Sequence, residues 1–227
     1  MDLCPFDTVN SPTGEVSPFC TLFTQDEWAS YDYYQSLNKY YSYGAGNPLG
    51  PSQGVGFVNE LIARLTEEPV QDHTSVNHTL DNGSETATTF PLDRKLYADF
   101  THEDGITSVM FALGLWNSTR LLSTSKLMSA EDLAGYTVSR TVPFAARMIV
   151  EKMECQNQPE LVRVLVNGRV ISLETCPGVD ELGRCKVGDF VKSLTFAEEG
   201  GVWEQCYANV AGKLTNGLGD IDSSDTS

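Results

Sequence analysis

The stretch Tyr97–Leu115, YADFTHEDGITSVMFALGL, places a histidine and two acidic side chains between a β-prone segment and a helical pattern. The β-prone segment is Lys95–Phe100, which we expect to form a strand. After it, apolar residues recur at helical spacing: Ile106, Val109, Met110 and Leu113. We expect the helix to begin near Asp104, with His102 in the turn before it. Free backbone N–H groups and the positive dipole end of such a helix favour an anion at this turn.

The sequence as a whole is acidic. Its 15 basic and 31 acidic residues give a formal net charge of −16 at pH 7. A field of this sign repels nucleic acids and anionic membranes, so neither is an expected partner. It also opposes an anionic substrate, unless local cations serve the site or the protein works at low pH. With 227 residues and 41% hydrophobic content, the chain can bury a core as one large or two small domains.

Cysteine usage indicates disulfides and not a metal centre. The six cysteines are Cys4, Cys20, Cys155, Cys176, Cys185 and Cys206. They show no C-x-x-C spacing and have few histidines nearby, so a zinc site is not expected. No other motif indicates a metal or a cofactor, and we expect neither.

Three N-glycosylation sequons lie in polar, turn-like surroundings, at Asn77, Asn82 and Asn117. Chance supplies one or two in a chain of this length, but together with the cysteines they indicate a secreted protein. The first residues, MDLCPFDTVNSPTG, have neither the basic start nor the apolar run of a signal peptide. No apolar stretch reaches the ~18 residues of a membrane span. We therefore expect a secreted protein whose leader is not in this sequence.

Helical patterns come first along the chain. Thr24 and Glu27 form a capping box that opens a helix through DEWASYDYYQSLNKYYSYG, and the helix ends at the glycine, Gly44. A second helix is predicted with an inner face made of Phe57, Leu61, Ile62 and Leu65. The polar residues 66–89 indicate a surface excursion.

Strand patterns are concentrated later. Arg147–Met153 is a predicted strand, LVRVLVNGRVISL is a hairpin turning at Asn167–Gly168, and Gly188–Phe196 is a short helix. Helices and strands without strict βαβ alternation predict an α/β layered fold. We assign residues 1–208 to one domain, with a helical part over about residues 1–90 and an α/β part over about residues 91–208, and residues 209–227 to a disordered tail.

With these segments in place, the chain resembles the fungal phytases of the histidine acid phosphatase family. The similarity runs from Met1 to about Ala208, through SLNKYY, GAGNPLGPSQGVGFVNELIARLT, LYADFTHEDGI, FALGLWN, TVPFAAR, LVRVLVNGRV and LGRC. The resemblance implies the C-terminal part of a phosphoglycerate-mutase-like fold: an α/β sheet domain with part of a helical domain. In that family a histidine of an Arg-His-Gly-x-Arg-x-Pro motif attacks phosphorus. A later His-Asp pair binds phosphate and protonates the leaving alcohol.

The resemblance assigns roles to the residues at the turn. His102 matches the phosphate-binding histidine, Glu103 stands where the family has the aspartate, and Asp104 stands where an asparagine is frequent. A glutamate can serve as general acid because its ordinary pKa of ~4.3 is close to acidic working conditions. We expect Glu103 to be the general acid, with Asp104 as the fallback donor and a substrate-binding residue. Lys39, in SLNKYY, matches a lysine that helps bind the phosphates of inositol hexakisphosphate.

Two further implications concern what is missing. No Arg-His-Gly occurs in the 227 residues, so the resemblance predicts that the nucleophile belongs to an absent N-terminal part. It also pairs Cys4 with Cys20 and Cys176 with Cys185. Cys155 and Cys206 would pair with cysteines of the absent part and remain as thiols here.

Two functions from different classes follow. The first is a secreted phytase or acid phosphatase that hydrolyses phosphomonoesters, inositol hexakisphosphate among them, through a phosphohistidine. The second is a catalytically inactive truncated fragment that only binds anions. Local sequence alone also allows plainer roles, in which His102 is a hydrogen-bonded loop histidine, the two acids complement a helix dipole and Lys39 is a solvated helix residue. Asp99 caps or orients the loop in that interpretation.

Overall fold

The structure is a computed structural model that describes residues 1–74, 78–81, 86–154 and 159–207. The sequons at Asn77 and Asn82, the cysteine at Cys155 and the tail predicted for residues 209–227 lie outside these ranges. The mixed helix-and-sheet class is confirmed. The division near residue 90 stays a prediction.

The helices of the described residues are separated by loops, and most of them lie in the first two thirds of the chain. The α-helices are α1 (Leu3–Val9), α2 (Gln25–Tyr43), α3 (Val55–Thr66), α4 (His78–Asp81), α5 (Thr86–Thr89), α6 (Glu103–Ala112), α7 (Val138–Thr141), α8 (Val187–Lys192) and α9 (Thr195–Glu198), with 3₁₀ turns at Pro18–Leu22 and Pro51–Gly54. The one short helix predicted over Gly188–Phe196 is therefore two, α8 and α9. No described helix is long and apolar enough to cross a bilayer.

Helix α2 begins as its sequence predicts. The Thr24 hydroxyl oxygen accepts from the Glu27 N–H at 3.3 Å, and the Glu27 carboxylate accepts from the Thr24 N–H at 2.8 Å. Two backbone N–H groups that lack intrahelical partners are thereby satisfied. The predicted capping box is confirmed, and it fixes the start of the helix that carries Lys39.

Helix α3 buries a face slightly rotated from the predicted one. Leu61 and Leu65 are buried as predicted, but the fully buried residues of its first turns are Val55 and Val58. The predicted Phe57 and Ile62 are only half-buried. The inner face turns toward α6 and α9, which α3 packs against, and this leaves Phe57 at the edge of the core.

Helix α6 begins at Glu103, one residue before the predicted start, and it runs through the core with Met110 fully buried. It packs closely on the Pro51–Gly54 turn. A Cβ atom added at Gly54 would lie 2.6 Å from the backbone of Ser108, so glycine is required for this approach. The turn and the first half of α6 are thus locked together.

A four-stranded antiparallel sheet lies late in the chain, formed by β1 (Met148–Met153), β2 (Leu161–Val166), β3 (Arg169–Ile171) and β4 (Cys185–Lys186). Strand β2 pairs with each of the others, and its alternate residues Val162, Val164 and Val166 are fully buried. Asn167 and Gly168 have φ of 51° and 78°, the left-handed values that a type I′ turn requires. The predicted hairpin is confirmed.

The strand predicted at Lys95–Phe100 is wrong. This segment has no regular secondary structure, and Leu96 and Phe100 are 84% and 96% exposed. A strand is stabilised by hydrogen bonds to a neighbouring strand, and no described strand pairs with these residues. The β-prone composition is present, but the pairing that would use it is not.

An aromatic cluster fills the core between α2, α6 and the loops that follow α6. The ring of Tyr136 lies 5.9, 5.4 and 5.9 Å from those of Tyr40, Phe111 and Trp116. Tyr136 is fully buried, and its hydroxyl has no hydrogen-bond partner among the described residues. Burial raises the pKa of this hydroxyl.

Candidate active site

Helices α2 and α6 bring a lysine and two carboxylates together. Lys39 lies near the end of α2, and its Nζ is 3.1 Å from Glu103 Oε1. The same ammonium also contacts Asp104 Oδ1. Glu103 and Asp104 form the first turn of α6, far from Lys39 in sequence. The structure therefore joins three of the predicted site residues into one cluster, which we call the lysine–carboxylate cluster.

His102 occupies the N-cap position of α6. Its backbone is extended, with φ −77° and ψ 162°, and its carbonyl oxygen accepts from the Ile106 N–H at 3.2 Å. The imidazole makes no capping hydrogen bond and is exposed. Helix α6 has ten residues, which is long enough for a dipole to develop. The positive end of this dipole and the first free N–H groups favour an anion beside the ring. The turn predicted at His102 is confirmed.

Glu103 titrates under the influence of Lys39. The hydrogen bond from the Lys39 ammonium holds the pKa of Glu103 below its ordinary value. The Glu103 side chain is 51% exposed, so water screens part of this interaction.

Lys39 is tightly engaged. Burial lowers its pKa, but the hydrogen bonds to Asp104 and Glu103 outweigh burial and raise the pKa overall. Its side chain is only 15% exposed, so the solvated helix residue allowed by local sequence is not what the structure contains. The Tyr43 ring lies 5.5 Å from the ammonium, and Asp104 raises the pKa of the Tyr43 hydroxyl.

Sequence reasoning missed a second charged group, centred on Arg64 of α3. Its guanidinium contacts Asp99 at 2.7 Å and Glu60 at 3.5 Å. Burial raises the pKa of Glu60, although Arg64 opposes this shift. The signal available in the sequence was the Glu60/Arg64 pair at i, i+4 spacing on a helix. Asp99 was recognised only as a residue that caps or orients the loop.

The other predicted residues lie away from this turn. The structure contains both disulfides, Cys4–Cys20 and Cys176–Cys185. Cys206 is an exposed free thiol, and Asn117 is exposed in the loop after α6. Among the described residues, no three His, Cys, Asp or Glu side chains are grouped so that they could hold a metal ion.

Comparison with known proteins gives the family. Residues 1–167 match the histidine phosphatase superfamily (branch 2), a range that includes His102 and the lysine–carboxylate cluster. The chain belongs to this superfamily. The mixed helix and antiparallel sheet arrangement is consistent with its α/β fold.

Several fungal proteins are similar over nearly the whole chain. Phytase A of Aspergillus oryzae is 57% identical over 211 residues, which are 92% of this chain and 44% of that protein. Phytase A of Emericella nidulans is 55% identical over 209 residues, and Phytase A of Aspergillus awamori is 56% identical over 211. The shares are 91% and 92% of this chain, and 44% of each relative. The chain therefore spans about half the length of these curated relatives.

Proposed function

We propose that this chain contributes the phosphate-binding and proton-donating part of a secreted phytase, which acts on inositol hexakisphosphate and other phosphomonoesters. The observation that carries the proposal is the lysine–carboxylate cluster beside an exposed histidine at the N-terminus of α6. Phosphomonoester hydrolysis needs a site for the phosphoryl oxygens and a donor for the leaving alkoxide, and this turn offers both.

His102 is the proposed phosphate ligand. Its imidazole makes no capping hydrogen bond to α6 and is exposed, so among the described residues nothing prevents its ring nitrogens from donating to phosphoryl oxygens. The helix dipole favours the same charge at the same place. The net charge of −16 makes such local positive features necessary for any anionic substrate.

Glu103 is the proposed general acid. In the first step the P–O bond to the alcohol breaks, the phosphoryl group passes to a histidine nucleophile, and Glu103 gives its proton to the leaving oxygen. In the second step water attacks the phosphorus of the phosphohistidine and the P–N bond breaks, which releases phosphate and the free histidine. The Glu103 carboxylate takes the proton of the attacking water and is thereby reprotonated. Because Lys39 holds the pKa of Glu103 low, the carboxyl is protonated to a useful extent only under acidic conditions.

Asp104 is the fallback donor, but its geometry favours a supporting role. Its side chain is more buried than that of Glu103 and is held by Lys39. We assign it to binding Lys39 and lining the substrate site. A substrate phosphate must compete with two carboxylates for the Lys39 ammonium. Lys39 therefore binds a highly charged substrate less tightly than an unpaired lysine would.

The nucleophile is proposed to come from outside these residues, because the sequence contains no Arg-His-Gly. The same fact supports the second candidate, an inactive anion binder. To decide between them, the aligned 44% of Aspergillus oryzae Phytase A is replaced by this chain, giving what we call the hybrid protein. Phosphate release from inositol hexakisphosphate at acidic pH is then measured for the hybrid protein and for the 227-residue chain.

We expect activity in the hybrid protein alone. Glu103→Gln should lower kcat by about 10²–10⁴-fold on inositol hexakisphosphate and far less on 4-nitrophenyl phosphate, whose leaving group needs little protonation. Equal losses on both substrates would reject Glu103 as general acid. An inactive but folded hybrid protein would favour the anion binder. Activity in the 227-residue chain that disappeared with His102→Ala would overturn our account of the nucleophile.

A further inference from the structure

Arg64 combines carboxylate contacts with contacts to three aromatic rings, although its buried Nε has no hydrogen-bond partner among the described residues. Its side chain is only 12% exposed. The guanidinium carbon lies 4.9 Å from the ring centre of Tyr97, 5.0 Å from that of Phe90 and 5.9 Å from that of Phe57. Cation–π attraction operates within about 6 Å of a ring centre, so three rings hold this one cation.

The charged contacts of Arg64 also hold its guanidinium in a fixed place. Nη1 donates to Asp99 Oδ2 at 2.7 Å and Nη2 donates to Asp99 Oδ1 at 3.3 Å, a two-bond pair. Such fork-to-fork pairs fix orientation as well as distance. A lysine in place of Arg64 could supply the charge, but it could not reproduce the planar fork or its stacking on the rings.

Most partners of Arg64 lie in the chain segment that leads to His102. Phe57 lies on α3 itself, whereas Phe90, Tyr97 and Asp99 all lie between α5 and α6. That connecting segment has no regular secondary structure, so strand or helix hydrogen bonds do not hold it in place. Asp99 is three residues before His102. A single guanidinium thus fastens the segment to the rigid helix α3 at three points.

We propose that Arg64 is a positioning residue for His102, acting through Asp99 and Tyr97. The proposal rests on the function proposed above for His102. Without the anchor, residues 97–101 would sample many conformations, and the imidazole would lose its fixed place at the N-terminus of α6. A displacement of about 1 Å at a reacting group can lower a rate a hundredfold.

The anchor itself is tested in the 227-residue chain by limited trypsin digestion followed by mass spectrometry. Arg64→Met keeps an apolar stem but removes the fork. We expect cleavage after Lys95 to become at least fivefold faster, because proteolysis follows local opening. Cleavage after Lys126, in a separate exposed loop, should keep its rate. An unchanged rate after Lys95 would overturn the anchoring.

The positioning role is tested in the hybrid protein with inositol hexakisphosphate. Arg64→Met and Asp99→Asn should each lower kcat/KM by about tenfold or more per folded molecule, with both a higher KM and a lower kcat. Arg64→Lys should lose nearly as much kcat/KM as Arg64→Met, because lysine supplies the charge but not the planar fork. The matched control is Arg163→Met, which removes another two-bond pair, to Glu151 at 2.6 and 2.9 Å between β1 and β2.

The outcomes separate the two proposals. If the control and the Arg64 variants lose thermal stability but keep kcat and KM per folded molecule, Arg64 is only structural and the positioning role is rejected. If the unsubstituted hybrid protein is folded and inactive, the proposed function fails. The digestion result then still decides whether Arg64 anchors the segment.

Discussion

Replacing Lys39 by methionine tests the electrostatic control of the proposed general acid. The ammonium lies 3.1 Å from Glu103 Oε1, and two unit charges at this separation attract by about 1.3 kcal/mol in a medium as polar as water. The exposure of Glu103 and the competing contact with Asp104 reduce this. We therefore use about 0.5–1 kcal/mol for the interaction that the substitution removes.

The sign follows from the direction of the pKa shift. Lys39 holds the pKa of Glu103 low, so removing it raises that pKa and leaves more of the carboxyl protonated at any pH above it. An interaction of this size changes the protonated fraction about two- to fivefold. We expect kcat of Lys39→Met in the hybrid protein to rise by this factor on the basic side of its pH profile, for substrates with poor leaving groups.

The assay is kcat against pH for inositol hexakisphosphate and 4-nitrophenyl phosphate, with KM determined separately at each pH. KM for inositol hexakisphosphate should rise, because a cation is lost from the substrate wall. Lys126→Met, which removes an exposed lysine from another loop, controls for the change in net charge. A basic limb that stays in place or moves to lower pH would refute the coupling between Lys39 and Glu103.

Three further substitutions test the packing, each measured by urea unfolding. Tyr136→Phe removes a buried hydroxyl that has no partner among the described residues and should stabilise the chain by up to about 1 kcal/mol; a clear loss would mean that the hydroxyl is bound. Gly54→Ala should cost about 1–3 kcal/mol, because its Cβ meets the Ser108 backbone at 2.6 Å, and a neutral result would contradict the close approach. Thr24→Ala should cost about 1 kcal/mol by removing the α2 cap, whereas Thr24→Ser should retain most of it.

Sequence patterns correctly predict those structural features that are formed by interactions between residues close in sequence. The Thr24/Glu27 capping box and the Asn167–Gly168 turn are both correct, because their hydrogen bonds and dihedral angles involve residues close in sequence. The strand at Lys95–Phe100 is wrong because a strand depends on a partner, and composition does not say whether one is present. The rotated face of α3 has a similar origin, since the packing of α6 and α9 decides which turn is buried.

The site shows the same division. The periodicity of apolar residues is enough to predict that His102, Glu103 and Asp104 lie at the start of a helix. Their contact with Lys39 joins residues that are distant in the chain, and only the family resemblance suggested it. Arg64 was not predicted because its surroundings combine rings and a carboxylate from separate segments. No pattern around position 64 encodes that combination.

The two disulfides have a consequence for how the oxidised chain forms and keeps its pairing. They span 16 and 9 residues, and loops this short close within about a microsecond. Each pair can therefore meet soon after its segment is synthesised, before the long-range core assembles. Afterwards the buried Cys176 and Cys185 sulfurs are shielded from thiolate attack, whereas Cys4 and Cys20 are half-exposed. Thiol–disulfide exchange begun by the exposed Cys206 would scramble the amino-terminal bridge first.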